Sequence, residues 1–275
     1  MQFNLGCQLT YSVIQPSTFI FNIAPASNDC QTILSEQLQI NPQLDLVEYI
    51  SPVGNSRLWR INVPEGKLEI IYQATVNLFN FYDNPQEIDE VAVANLPMDV
   101  LVYLYPSRYC QSNRLWNFVQ SEFGDLPPGY SRVEAICQWI NSKLVYLPGS
   151  SNVQTSAYDT LVERNGICRD FAHLGIALCR ALNIPARFVS GYAYKLEPPD
   201  FHACFEAFLG DRWYIFDPTK PSLSNNLIRI GTGRDAADTS FTTIFGQVNP
   251  EQMQVFIKSL ALEEVNRENW AISNI

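Results

Sequence analysis

Residues 164–187 read RNGICRDFAHLGIALCRALNIPAR. Phe171, Leu174, Leu178 and Leu182 recur there at three- and four-residue steps, the spacing of an apolar stripe along one face of an α-helix. The stripe predicts a helix over 166–182 that packs inward. Asn165 can cap it, and Gly166 lets the backbone turn sharply into it. Cys168 then falls in the first turn, where unpaired backbone N–H groups and the positive end of the helix dipole favour thiolate over thiol. A nucleophilic sulfur needs that help, because an unperturbed thiol with a pKa of about 8.5 is mostly protonated at neutral pH. Taken alone, Cys168 reads as one more small buried residue, the expected fate of most of the chain's seven cysteines. Its partners separate it from the others.

A nucleophilic cysteine requires a base, and the chain has two histidines. His173 lies five residues after Cys168 on the same helix, about 140° past a full turn, so it points away from the sulfur. His202 opens the run HACFEAFLG, in which His202, Cys204 and Glu206 share one face of a strand. Fifteen residues later, Asp217 ends the β-like run of RWYIFDPT. A hairpin turning at Gly210-Asp211 is expected to set His202 opposite Asp217, whose carboxylate would accept from one imidazole nitrogen, fix the tautomer and stabilise the imidazolium. Without that pairing Asp217 is an ordinary turn residue before Pro218. A metal site built from Cys168, His173, His202 and Cys204 has suitable ligand types, but the spacing fits no zinc pattern and His173 faces away. No metal and no cofactor are expected.

Upstream, Met1 to about Leu78 is a series of short β-rich runs such as STFIFNIAP, SRLWRINVPEG and KLEIIYQATVNL. Leu68, Ile70 and Tyr72 alternate with period two, which predicts half-buried antiparallel strands and a small β-sandwich over residues 1–80. Pro52-Val53-Gly54-Asn55 and Pro64-Glu65-Gly66 supply turns between runs. Beyond Phe79 the pattern becomes helical, with Val133, Ile136, Ile140 and Leu144 at helical steps, Ser131 and Glu134 in the form of a capping box, and Pro127-Pro128-Gly129 separating two helices. Residues 81–275 are therefore expected to form a second, α+β domain in which the Cys168 helix packs on strands ARFVSGYAY, HACFEAFLG and RWYIFDPT. A polar loop, GTGRDAADT, a short helix, PEQMQVFIKSL, and an acidic tail expected to fray complete the chain.

The whole-chain balance narrows the function classes. With 275 residues, 47% hydrophobic and 17% charged, the chain can bury an ordinary globular core. A net charge of -10 and a pI near 4.7 argue against nucleic acid or an anionic membrane surface as partner, since both need a basic footprint. The N-terminus lacks a basic region followed by an apolar stretch, and no run approaches the roughly 18 apolar residues of a spanning helix. The odd, scattered cysteines contain no CxxC pair and suit reduced thiols, so a cytoplasmic location is expected.

In order and spacing, YLYPSRYC (103–110), AYDTLVERNGICRDFAHLGIALCRALNIPARFVSGYAY (157–194), DFHACFEAFLGDRWYIFDPT (200–219) and IRIGTGRDAADTSF (228–241) resemble the transglutaminase-like superfamily. The likeness is to its bacterial branch of transglutaminase-like and cysteine-protease domains. It implies a papain-like core with Cys168 as nucleophile, His202 as general base and acid, and Asp217 as the orienting carboxylate, preceded by an accessory β-rich region. The implied chemistry is acyl transfer at an amide or peptide bond through a thioester, with hydrolysis favoured by the bacterial relatives. Transfer to an amine and a non-catalytic, peptide- or protein-binding member of the same fold are the alternatives. Relatives commonly carry an aromatic residue, usually tryptophan, two positions after the catalytic histidine, whereas this chain has Cys204, a smaller wall and a second thiol within sequence reach of Cys168. The Cys168 backbone N–H is the natural first oxyanion donor, and the second is unassigned. Tyr158, Asp159, Arg234 and Asp235 are candidates to line the cleft or to serve as plain loop residues.

Overall fold

The computed structural model describes residues 1–52, 54–219, 226–260 and 270–275. Val53 of the expected Pro52–Asn55 turn and residues 261–269 of the acidic tail lie outside the described residues. The first six strands are β1 (Gln2–Val13), β2 (Ser17–Ala24), β3 (Gln31–Asn41), β4 (Leu46–Ile50), β5 (Arg57–Val63) and β6 (Gly66–Leu78). There follow β7 (Phe81–Asp83), α1 (Trp116–Phe123), α2 (Tyr130–Lys143), β8 (Val145–Tyr146), α3 (Ala157–Glu163), β9 (Asn165–Gly166) and α4 (Cys168–Ala181). The last strands are β10 (Ala186–Ala193), β11 (Phe201–Leu209), β12 (Arg212–Phe216), β13 (Leu227–Gly233), β14 (Thr242–Phe245), β15 (Val248–Ser259) and β16 (Ala271–Ser273).

Period-two burial writes the N-terminal part. β1 buries Phe3, Leu5, Leu9 and Val13, and β6 buries Leu68, Ile70, Tyr72 and Val76, so both present one apolar face to a shared core. The sheets β15-β1-β6-β3 and β14-β2-β5-β4 close over that core as a sandwich. Two of its strands come from the far end of the chain, within the segment 81–275 expected to belong to the second domain. The expected helix PEQMQVFIKSL is instead part of β15, paired antiparallel to β1 from Phe3↔Ser259 to Val13↔Val248. Met253, Val255 and Ile257 also alternate with period two, and a partner strand more than two hundred residues away decides between the two periods. The end of the acidic tail does not fray: β16 is buried and pairs with β7, and the Asn274 side chain accepts from Arg229.

The second layer is the antiparallel sheet β12-β11-β10-β13 with α4 packed across it. The stripe predicted for α4 understates its burial, because the helix is covered on every side from Asp170 to Ala181. Side chains such as Leu174, Ile176 and Leu178 are fully buried, each contributing on the order of 1.5–3 kcal/mol. Gly175 permits the close approach, since a Cβ there would lie 2.5 Å from the Phe205 ring of β11. At α2 the helix starts two residues earlier than the Ser131–Glu134 capping box requires, and that box does not form. The cap is Gly129, at φ 123°, where a Cβ would meet the Ile88 carbonyl at 2.7 Å and whose N–H donates to Glu90 Oε1 at 3.0 Å. GTGRDAADT is not a free loop either: β13 runs to Gly233, and the buried Asp235 carboxylate accepts from Tyr109 N at 2.9 Å. Sandwich and core are joined by Tyr192 Oη donating to Ile23 O at 2.8 Å and by Gln31, whose amide exchanges hydrogen bonds with the Arg229 backbone at 2.7 and 2.8 Å.

Candidate active site

The N-terminus of α4 is fixed by a short parallel bridge. β8 and β9 pair Val145↔Asn165 and Tyr146↔Gly166, with Val145 N donating to Arg164 O and Leu147 N to Gly166 O, both at 2.9 Å. This holds the chain extended through Ile167 (φ -113°, ψ -178°), which becomes the cap residue in place of Asn165. The Asn165 amide donates instead to Glu163 O at 3.0 Å. Ile167 has no side-chain acceptor, but its own N–H is taken by the Asp170 carboxylate at 3.0 Å, half of a capping box. Arg169 offsets that buried carboxylate at 3.0 Å and reaches the 148–156 loop through Ser151 Oγ and Asn152 O, both at 2.6 Å. The first helical bonds run from Asp170 N and Phe171 N to Ile167 O, so the Cys168 and Arg169 amides lie outside the helix ladder at the positive end of the dipole, where the half-buried Cys168 sits.

His202 stands near the start of β11, facing Gly191 of β10. The β11–β12 register corrects the expected facing pair: Leu209↔Arg212 and Phe205↔Phe216 are partners, so Asp217 stands diagonal to His202 rather than opposite it. The turn is centred between Gly210 and Asp211, one position beyond the midpoint that a facing pair requires. A two-residue displacement leaves both side chains on the same face, and His202 Nε2 lies 2.6 Å from Asp217 Oδ2. The other carboxylate oxygen, Oδ1, accepts from Thr219 N at 2.9 Å and Thr219 Oγ1 at 2.6 Å, which locks its orientation. Cys168 is also among the groups that raise the His202 pKa, which sets its thiol beside the imidazole. With Nε2 given to Asp217, Nδ1 is the ring atom that remains for sulfur.

Burial is the largest single influence on His202 and favours the neutral ring. The charge and hydrogen bond of Asp217, helped by Cys168, outweigh it and push the imidazole pKa up to about 10. His202 and Asp217 are 4% and 3% exposed, so their interaction is shielded from solvent. His173 has the opposite character. It is fully buried, stacked on Tyr109 at 4.9 Å, and accepts from Ala236 N at 3.1 Å. Burial, followed by the positive charges of Arg169 and Arg180, drives its pKa well below the ordinary range and keeps it neutral. Among the described residues no group of three or more His, Cys, Asp or Glu side chains is arranged to hold a metal. Cys204 is a buried free thiol whose pKa is pushed well up, first by burial and then by Asp217 and Glu206.

The other candidate liners serve the fold. Asp159 accepts from Ser156 N at 3.0 Å and Ser156 Oγ at 2.6 Å, capping α3. Tyr158 lies under the Arg114 guanidinium at 3.6 Å, and Arg234 pairs with Asp238 at 2.9 Å. Two site residues escaped the sequence reading. Thr219 was legible in principle, because an aspartate commonly bonds the backbone two residues on. Tyr146, whose ring packs edge-on against Phe171 of α4 and whose phenol pKa is raised by burial and then by Cys168, carries no local signal, since only the β8–β9 bridge brings it there.

Residues 108–218 match the core of the transglutaminase-like superfamily, and residues 1–99 match the N-terminal domain of bacterial transglutaminases. A solved structure from Cytophaga hutchinsonii, described as a "putative cysteine protease", is 44% identical, covers 99% of this chain and 97% of its own, and superposes with a TM-score of 0.95. The chain belongs to the transglutaminase-like superfamily. An uncharacterized protein of Mycobacterium leprae is 28% identical over 248 residues, or 84% of this chain and 88% of that protein. A second, from Mycobacterium bovis, is 33% identical over 114 residues, 36% of each. The transglutaminase-like match to residues 108–218 spans α1 to Pro218 and so includes Cys168, His202 and Asp217.

Proposed function

We propose that this transglutaminase-like protein is a thiol-dependent acyl-transfer enzyme acting on amide or peptide bonds, with water as the usual acceptor. The observation that carries the proposal is the arrangement at the end of α4: a half-buried thiol at a helix N-terminus, beside an imidazole whose Nε2 is 2.6 Å from a buried carboxylate. In this mechanism His202 takes the Cys168 proton and the resulting ion pair is stabilised by Asp217. The thiolate attacks the carbonyl, and collapse of the tetrahedral adduct breaks the C–N bond as His202 protonates the leaving nitrogen. A thioester remains. Water, deprotonated by His202, then releases the acid and regenerates the thiol; an amine in its place would give transamidation.

A peptide is the favoured substrate class. Val145, Leu147 and Val153 are 62%, 48% and 71% exposed beside the Tyr146 bridge and the loop held by Arg169, an apolar rim suited to side chains flanking a scissile bond. The free state of all seven cysteines is compatible with a reducing, cytoplasmic setting. The test is turnover of a peptide and amide library with and without a primary amine, by the wild type and by Cys168→Ala and His202→Ala. Cleavage lost in both variants is expected; cleavage retained by Cys168→Ala refutes the proposal.

A further inference from the structure

The geometry points to Asp200 as the residue that selects the leaving half of the substrate, by pairing with a lysine- or arginine-type cation next to the bond that Cys168 attacks. This deepens the proposed function and rests on it for Cys168 as nucleophile and for His202 as the acid that protonates the leaving nitrogen. β11 begins at Phe201, which pairs with Tyr192 of β10, and His202 follows opposite Gly191. The Phe201 ring turns to the sandwich, stacked on Phe241 at 4.9 Å, tilted on Tyr192 at 5.3 Å and packed against the sandwich core. Successive residues of an extended chain point to opposite faces, so the two neighbours of Phe201 emerge together on the other face. Those neighbours are Asp200 and His202, roughly 7 Å apart along the chain. Asp200 Oδ1 accepts from Phe201 N at 2.7 Å, which anchors the carboxylate at the mouth of the strand, on the side of the imidazole.

The anchor uses one carboxylate oxygen and leaves the other to a ligand. Asp200 is exposed, and among the described residues no lysine or arginine pairs with it, in contrast to Glu206 farther along the same face, which holds both Arg187 and Arg229. The surrounding protein still desolvates it enough to raise its pKa, a pull that the Phe201 N–H and His202 oppose only in part. Its charge also acts on the Tyr146 phenol, as expected for a group facing the cleft between β11 and the β8 bridge. A partly desolvated carboxylate without a protein cation gains from a cation that the substrate brings. The side of the scissile bond follows from the proton transfer. His202 gives its proton to the leaving nitrogen, so that nitrogen sits against the imidazole and the chain it carries departs past Asp200. The acyl half stays on sulfur, at the start of α4 and beside the apolar rim of Val145, Leu147 and Val153. The substrate class is therefore a peptide with a basic residue just after the bond that is cut. A net charge of -10 draws such peptides in and repels acidic ones.

Two measurements test Asp200. In the first, a peptide whose cleavage depends on Cys168 is remade with lysine, norleucine or glutamate as the first or second residue after the cut. The wild type is expected to favour lysine over norleucine by about 5-fold in kcat/KM and to accept glutamate least, and Asp200→Asn to bring the lysine-to-norleucine ratio close to one. Asparagine keeps an oxygen for the Phe201 N–H, and the ratio does not depend on how much activity the variant retains. A wild type indifferent to lysine, or a lysine preference undiminished in Asp200→Asn, overturns the inference. The second measurement needs no turnover. Six of the seven cysteines are buried, so Cys168 is the thiol open to the cationic trimethylammonium-ethyl and the anionic sulfonatoethyl methanethiosulfonates, whose relative rates report the charge near sulfur. Asp200→Asn should lower the cation-to-anion rate ratio by about 10-fold, and an unchanged ratio also overturns the inference. A ratio that falls as expected in a protein that cleaves no peptide through Cys168 places the failure in the acyl-transfer reading instead.

Discussion

Replacing Asp217 with asparagine keeps the shape of the side chain and removes its charge, and it should silence the site through His202 rather than through the fold. In the wild type the imidazole is raised from 6.5 to about 10 against the opposing pull of burial. At roughly 1.36 kcal/mol per unit, that is on the order of 5 kcal/mol of net preference for the imidazolium, supplied by Asp217 first and Cys168 second. In Asp217→Asn the amide oxygen stays committed to Thr219 N and Oγ1, so the NH2 group faces His202 Nε2. The ring must then accept at Nε2 and carry its proton on Nδ1, the atom facing sulfur, where it cannot act as base. His202 should fall from about 10 to below 6.5, and turnover at neutral pH should drop by about 10²–10⁴-fold. The assay is an NMR titration of the imidazoles, of which there are two, and His173 is held neutral by burial. The sign of the stability effect follows: the folded wild type keeps a proton that the unfolded chain releases above 6.5, so this contribution is full below pH 6.5 and is lost as pH rises to about 10. Asp217→Asn should flatten that alkaline loss. A wild-type His202 titrating near 6.5, or an unshifted His202 in the variant, would refute the reasoning.

Thr219→Val removes the shorter of the two Thr219 bonds to Asp217 Oδ1 and leaves the backbone one, so the carboxylate should be held less firmly, lowering kcat by up to about 10-fold with little change in melting temperature; an unchanged kcat would show that the Thr219 hydroxyl does not orient Asp217. Glu206 is fully buried between Arg187 at 2.7 Å and Arg229, so Glu206→Gln strands two cations and should cost about 3–5 kcal/mol in chemical denaturation. Burial raises the Glu206 pKa but the arginines outweigh it and lower it, so the wild type's stabilisation is present above the ordinary carboxylate range and lost on acidification, a dependence the variant should lack. Gly175→Ala pushes a methyl to 2.5 Å from the Phe205 ring and should destabilise by about 1–3 kcal/mol, visible as a lower thermal midpoint.

The sequence alone carried the elements whose signals are local. The place of Cys168 at a helix start was legible from an apolar stripe, and that of His202 on a strand from the run HACFEAFLG. The strands β1, β6, β10, β11 and β12 announced themselves by alternation or by turn residues at their ends. Capping was less secure: the same stretch that predicted Asn165 as the cap is held extended to Ile167 by a bridge from residues 145–146, which no local pattern encodes. The register of β11 against β12 was missed by two residues, yet the His202–Asp217 contact survived because a shift of two preserves the face of a strand.

What only the tertiary structure decided are the pairings over long sequence separation. Residues 248–259 carry both a helical and a strand period, and the open edge of β1 selects the strand, returning the chain's end to the N-terminal sandwich. The closing residues 271–274 are ordered by β7 and Arg229, partners that composition cannot reveal. Tyr146 belongs with these. Nothing in its neighbourhood marks it, and it meets α4 because two residues of parallel pairing place its ring against Phe171 in the first turn. Residue types and local periods thus determined which side chains could do thiol chemistry, while backbone hydrogen bonds between distant segments determined which of them meet.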